Sequence, residues 1–184
     1  GGPNLEEYFR SGLARRLRTE GRRADVMLGN NVLAHVDDPN QLAAGVAILL
    51  ADEGVAVFEV PYLVDLVERC AFDTIYHEHN CYFSLRALQN LFERHGLHVV
   101  DVRRLPVHGG SLRVSVARHA AERAAVGELR SLEDRLGVGT MDFYREFAQL
   151  WNHSLEVRYR YRGKYRMYLQ AVAALLVGRV RLGD

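Results

Sequence analysis

Residues 24–60 read ADVMLGNNVLAHVDDPNQLAAGVAILLADEGVAVFEV, and this stretch decides the fold. Ala24 to Leu28 is a short apolar run interrupted only by Asp25, the pattern of a buried strand, and Asn30-Asn31 opens the loop after it. Asp37-Asp38-Pro39 predicts a helix start, because an aspartate caps free amides and a proline fits the first turn without losing a hydrogen bond. Leu42, Val46, Leu49 and Leu50 then supply a core-facing stripe. Asp52-Glu53-Gly54 predicts a turn, and Val55 to Val60 a second strand, nearly continuous in apolar residues as a parallel sheet requires. The segment reads as β-α-β.

On the N-terminal side, Leu5, Tyr8, Phe9, Leu13 and Leu17 recur at spacings of three to four and predict a helix over Leu5 to Thr19, ended by Gly21. On the C-terminal side, a helix is expected around Leu63 to Arg69. Ser84 is a helix cap for the stripe Leu85, Leu88, Leu91 and Phe92, Gly96 closes that helix, and Leu97 to Val102 forms a third strand. Pro106 to Gly110 turns the chain into Ser111 to Ala117, where Leu112, Val114 and Val116 alternate with polar residues, so this strand is expected antiparallel to its predecessor in a hairpin. Leu129, Leu132 and Leu136, then Phe143, Phe147 and Leu150, mark two further helices separated by Gly137 and Gly139.

The chain has 184 residues, is 48% hydrophobic and 26% charged, and sets 24 Lys+Arg against 23 Asp+Glu for a formal net charge of +1. That length supports one real core plus an appendage. The balanced charge provides no field that argues for nucleic acid or a membrane surface. The clean apolar run Ala171 to Val177 is far short of the ~20 residues that cross a bilayer. Cys70 and Cys81 make neither a disulfide framework nor a four-cysteine zinc module, and a reduced, cytoplasmic setting is expected. The chain opens on Gly1 rather than Met, so the N-terminus is expected to be missing or processed. From Trp151 to Asp184, tyrosines alternate with arginines. The plain reading is a helix with packed tyrosines and solvated arginines, and nucleic-acid stacking is the lesser one.

Several patterns fail as chemistry. Gly137-Val138-Gly139-Thr140 lacks the third glycine of a dinucleotide loop and follows a helix. His108-Gly109-Gly110-Ser111 lacks the second glycine of a nucleophile elbow, Arg113 taking its place. His77, Glu78 and His79 have metal-ligand chemistry but match neither the helical zinc motif nor a finger spacing. A metal-dependent sugar isomerase or lyase using these three residues remains an alternative. The stretch Tyr76 to Ser84 is different, since it concentrates phenols, imidazoles, a carboxylate and a hydroxyl. Parallel sheets bind ligands beyond the carboxyl ends of their strands, where Asn31, His35 and Glu59 are also expected.

Five stretches carry a resemblance in order and spacing: Ala24-Asp25-Val26; Asn31-Val32-Leu33-Ala34-His35-Val36; Glu59-Val60-Pro61-Tyr62; Phe72 to His79 with Tyr82-Phe83-Ser84; and His108-Gly109-Gly110-Ser111-Leu112-Arg113. Over about residues 4 to 150 the chain resembles the S-adenosylmethionine-dependent C-methyltransferases that act on nucleotide-linked keto-deoxysugars, among them the sugar C-3-methyltransferases of antibiotic pathways.

The resemblance implies a partial Rossmann-like class I methyltransferase sheet, holding its later strands and ending in an antiparallel hairpin, over residues 1–119. Residues 120–184 would then form a helical segment beginning a C-terminal domain, with a tail departing from the family from about Trp151. It implies S-adenosylmethionine as cofactor, and zinc only in an N-terminal four-cysteine module outside this sequence. It assigns His79 as the base that removes the proton beside the ketone, with Tyr76 and Glu78 flanking it and His35 at the enolate oxygen. Tyr62, Tyr82, His108 and Ser111 are the substrate-binding candidates, and Asn31 the cofactor-facing one. In that fold the first strand would lie beside Ala24 to Leu28, so its absence would leave an edge for pairing in a homodimer, and a catalytically inactive truncated chain is the other alternative.

Overall fold

The computed structural model describes residues 4–145 except Phe72, Asp73, Tyr76 and His77, together with Ala148 and Gln149. The expectations placed on Phe147, Leu150 and the tail Trp151–Asp184 lie outside the described residues. Helix α1 (Ser11–Thr19) leads into strand β1 (Ala24–Asn30), a short 3-10 turn (Leu33–His35), α2 (Pro39–Leu49) and β2 (Leu50–Pro61). Then come α3 (Leu63–Glu68), α4 (Leu85–Glu93), β3 (His98–Leu105), β4 (Ser111–Ala117) and α5 (Ala124–Leu136). The strands form one open sheet in the order β1-β2-β4-β3. β1 and β2 are parallel, while β4 runs antiparallel to both β2 and β3.

The predicted hairpin therefore exists, but its second strand inserts between β2 and β3 instead of extending the sheet. Two boundaries also moved. α1 starts at Ser11, because Arg10 is extended at φ −140° and ψ 173°. The turn Asp52-Glu53-Gly54 is absorbed into β2 as a register shift, with Ala24 opposite Leu50 but Val26 opposite Val55. The helix starts read from capping residues hold: Asp38 accepts from the amides of Asn40 and Gln41, and Ser84 Oγ accepts from Ala87 N–H.

One face of the sheet carries the core. Met27 packs with the α1 and α2 residues Leu13, Leu17 and Leu49, Phe58 lies 5.3 Å from Phe92 of α4, and Val60, Val114 and Val116 are fully buried. The opposite face holds Val26 and Leu28, which are 59% and 74% exposed, and the pair Glu59–Arg113 at 2.8 Å. The expectation of a buried strand at Ala24 to Leu28 is thus corrected: β1 is an edge strand, and its even-numbered side chains meet water.

A buried carboxylate joins three elements. Glu133 of α5 is 1% exposed and accepts hydrogen bonds from Leu85 N–H (2.6 Å), Arg86 N–H (3.1 Å) and the Tyr62 hydroxyl (2.9 Å). The first amides of α4 and the positive end of its dipole thereby balance a charge that burial alone would penalise. Burial and the neighbouring carboxylate push the Tyr62 phenol well above its ordinary range, so the hydroxyl keeps its proton and remains the donor.

On the other side of Tyr62, the Arg104 guanidinium lies 5.3 Å over the ring and 2.8 Å from the buried carboxylate of Asp65. Gly110 abuts that same aspartate at φ +130°, and a Cβ there would overlap the Asp65 side chain, so the glycine is required by close approach and by backbone. Glu133→Ala is expected to destabilise the chain by roughly 2–4 kcal/mol in urea unfolding, since it leaves three donors buried without acceptors. A loss under about 0.5 kcal/mol would show that water replaces the carboxylate at no cost.

Candidate functional site

The carboxyl end of β1 begins the site. Asn31 stands in the left-handed region at φ 53°, a conformation asparagine tolerates better than most residues, while its N–H still donates to Glu59 O at 2.8 Å. The chain leaves the sheet there and enters the 3-10 turn that ends at His35. Leu33 and Ala34 of that turn are fully buried, which leaves His35 exposed at its tip.

The segment between α3 and α4 is laid against this turn by main-chain bonds. Asn80 N–H and Cys81 N–H both donate to Ala34 O, at 2.8 and 3.3 Å, and Asn80 Nδ2 donates to His35 O at 3.1 Å. At its far end Leu63 N–H donates to Phe83 O at 3.0 Å, so the segment is tied at both the β1 and β2 exits. His79 is thereby brought to His35, with ring centroids 4.8 Å apart and planes at 62°, and Tyr82 meets His79 edge-on at 5.9 Å.

Two carbonyls set the tautomers. His79 Nδ1 lies 2.8 Å from Thr74 O, and His35 Nδ1 lies 2.9 Å from Glu78 O. A carbonyl oxygen only accepts, so in each neutral ring Nδ1 carries the hydrogen and Nε2 the lone pair. The Tyr82 hydroxyl also donates to Thr74 O, at 3.4 Å. Burial lowers the His79 pKa from its ordinary 6.5, opposed by the Thr74 hydrogen bond and reinforced by the His35 charge. A half-buried imidazole with its pKa below 6.5 is a neutral proton acceptor at pH 7.

Beside this cluster lies a cleft of about 380 Å³ lined by Tyr8, Phe9, Arg10, Asn31, His35 and Asp37, among others. It falls at the lower end of small-molecule pocket sizes, roughly 300–1,000 Å³. The structure thus brings His79, His35, Glu78 and Tyr82 together and puts Asn31 in the adjoining cleft. Tyr76 lies outside the described residues. Tyr62 is not at this surface, being fully buried with its hydroxyl on Glu133. Ser111 is also fully buried and donates to Val107 O at 3.2 Å, while His108 stands exposed on the turn at φ 52°.

Among the described residues no group of three His, Cys, Asp or Glu is gathered closely enough to hold a metal ion. Sequence reasoning missed Thr74, whose contribution is a carbonyl and therefore carries no side-chain signal. It also missed the cleft wall at Tyr8–Arg10, because those aromatics read as a helix stripe. Titration of His79 by NMR is expected to give a midpoint below 6.5, with the neutral ring protonated at Nδ1. A midpoint at or above 6.5 would contradict this environment. Because the unfolded state then binds the proton more readily, His79 contributes stability that is present above pH 6.5 and lost as pH falls from 6.5 through the folded midpoint.

Comparison with known proteins agrees with this site. A methyltransferase domain family matches residues 5–102, and a C-methyltransferase C-terminal domain matches residues 106–162. The chain is 43% identical over 143 residues to the C-methyltransferase NovU of Streptomyces niveus, a match spanning 76% of this chain and 34% of that protein. The chain therefore spans about a third of the length of this curated relative. Among solved structures it is similar to an O-methyltransferase family protein from Burkholderia thailandensis, with TM-score 0.45 and 16% identity over 64% of this chain and 35% of that one. It is also similar to a SAM-dependent methyltransferase from Thermotoga maritima, with TM-score 0.43 and 13% identity over 53% and 58%. No helix among the described residues is long and apolar enough to cross a membrane. The chain belongs to the methyltransferase domain family, joined to the start of a C-methyltransferase C-terminal domain.

Proposed function

We propose that this chain belongs to an S-adenosylmethionine-dependent C-methyltransferase that acts on a nucleotide-linked keto-deoxysugar. The observation that carries the reading is the half-buried His79, a neutral imidazole with its tautomer set by Thr74 O and its ring against His35. C-methylation beside a ketone demands removal of a weakly acidic C–H proton, which a neutral histidine can perform and a protonated one cannot.

In this reading His79 Nε2 takes the proton from the carbon next to the ketone, and the electron pair of the C–H bond moves into the enolate. His35 steadies the enolate oxygen, its ring oriented by the Glu78 carbonyl. Glu78 and Tyr76 flank the base, and Tyr82 buttresses the His79 ring while presenting a phenol edge to the sugar. S-adenosylmethionine, when bound, supplies the methyl group that the enolate carbon takes up. The cleft fits that group in residue chemistry: Tyr8 and Phe9 offer flat apolar surface, Asn31 an amide and Asp37 a carboxylate for a cation.

His108 and Ser111 belong to the substrate side of the same reading, the exposed His108 by contact and the buried Ser111 by holding its turn to Val107 O. Tyr62 acts through position, as the core strut between Glu133 and Arg104. The division of the chain near residue 119 is part of this reading, supported by β4 pairing with β2 inside the sheet. A cytoplasmic setting is supported by the free thiols Cys70 and Cys81.

The test is incubation of the 184-residue chain with methyl-labelled S-adenosylmethionine and a nucleotide-linked keto-deoxysugar, with the product read by NMR. A new carbon–carbon methyl beside the ketone is expected, and a labelled O-methyl, or no transfer by a folded chain, would overturn the reading. His79→Asn is expected to lower kcat by roughly 10²–10⁴-fold with KM within about twofold of the parent. Equal kcat in variant and parent would remove His79 from the chemistry.

A further inference from the structure

β1 is a seven-residue strand with a bare outer edge and none of the devices that blunt such edges. Lysine, proline and a covering helix are all absent from that edge among the described residues, and Asp25 is its one charge. Val26 and Leu28 share the sheet face opposite Met27 and are 59% and 74% exposed. Across β2 their register partners Val55 and Val57 are only half-buried, so an apolar patch runs from the edge into the sheet.

We propose that this edge is a self-association surface on which two copies of the chain pair β1 antiparallel to β1 about a two-fold axis at Met27. The alternation of the strand supports that register. Asn31 N–H points inward to Glu59 O, so the carbonyl of Asn30 points outward, and with it the main-chain groups of the even-numbered residues Val26 and Leu28. Centring the pair on Met27 sets Val26 opposite Leu28 of the second copy, where each exchanges its outward N–H and C=O with the other.

That register overlaps the whole of β1 and places Val26 and Leu28 of both copies on one continuous apolar face. It also sets Asp25 opposite Gly29, which keeps the like charges of the two copies from facing each other. The contact is isologous, so it closes at two copies instead of propagating. Nothing in it involves His79 or His35, and it stands or falls independently of the proposed chemistry.

The experiment is light scattering on the purified 184-residue chain, with unfolding curves confirming that each variant folds. The parent is expected at twice the 20.9 kDa chain mass. Val26→Lys combined with Leu28→Lys is expected to give the single-chain mass, because it sets ammonium groups opposite one another at exposed positions that the monomer fold does not need. Val26→Lys combined with Leu28→Glu is expected to restore the doubled mass, since each introduced ammonium then faces an introduced carboxylate. A parent that stays monomeric, a double-lysine variant that stays dimeric, or a lysine–glutamate variant that stays monomeric would each overturn the proposal.

Discussion

The fold hangs on the buried carboxylate of Glu133. It is the point where the end of β2, the start of α4 and the middle of α5 meet, through Tyr62, the Leu85 and Arg86 amides, and its own helix. A charge this deep is tolerable only because every bond offered to it comes from a group that would otherwise be an orphan donor. The consequence reaches the site. The segment that carries Thr74, His79 and Tyr82 runs from α3 to α4, and its outgoing end is fixed where Glu133 caps α4, while Phe83 O bonds Leu63 N–H beside Tyr62. The C-terminal helix thus sets the anchor of the histidine segment without touching it.

The strand and helix elements were legible where local chemistry chose them. Asp38 and Ser84 announced α2 and α4 because a capping oxygen at a fixed offset from a stripe has few other uses. The alternation of Leu112, Val114 and Val116 announced an antiparallel strand. What spacing does not encode is lateral order, so the insertion of β4 between β2 and β3 emerged only in three dimensions, as did the exposure of β1. Leu5 and Tyr8 misled because their helical spacing is shared by an extended segment that packs Phe9 against Gly45 of α2.

The site was legible through its side chains and opaque through its main chain. His79, His35, Glu78 and Tyr82 stand in the pattern of a ligand-facing loop, and they meet at the carboxyl ends of β1 and β2. The carbonyls of Thr74 and Glu78, which fix both imidazoles, leave no trace in residue identity. Burial divides the other named residues into two kinds. Ser111 and Tyr62 build the frame from inside, and His108 stands on it in a conformation that a non-glycine residue adopts at a cost. Gly110 explains the double-glycine turn by its close approach to Asp65, a structural need that sequence alone cannot separate from a ligand-binding one.

The account turns on His79 as a base that works before any methyl group moves. The direct measurement is solvent deuterium uptake at the carbon beside the ketone of a nucleotide-linked keto-deoxysugar, followed by NMR in D2O with the chain present and no methyl donor. Exchange accelerated by the parent chain and lost in His79→Asn, with the sugar still bound, is the predicted result. Equal exchange in the two proteins would contradict it and move the base elsewhere in the site.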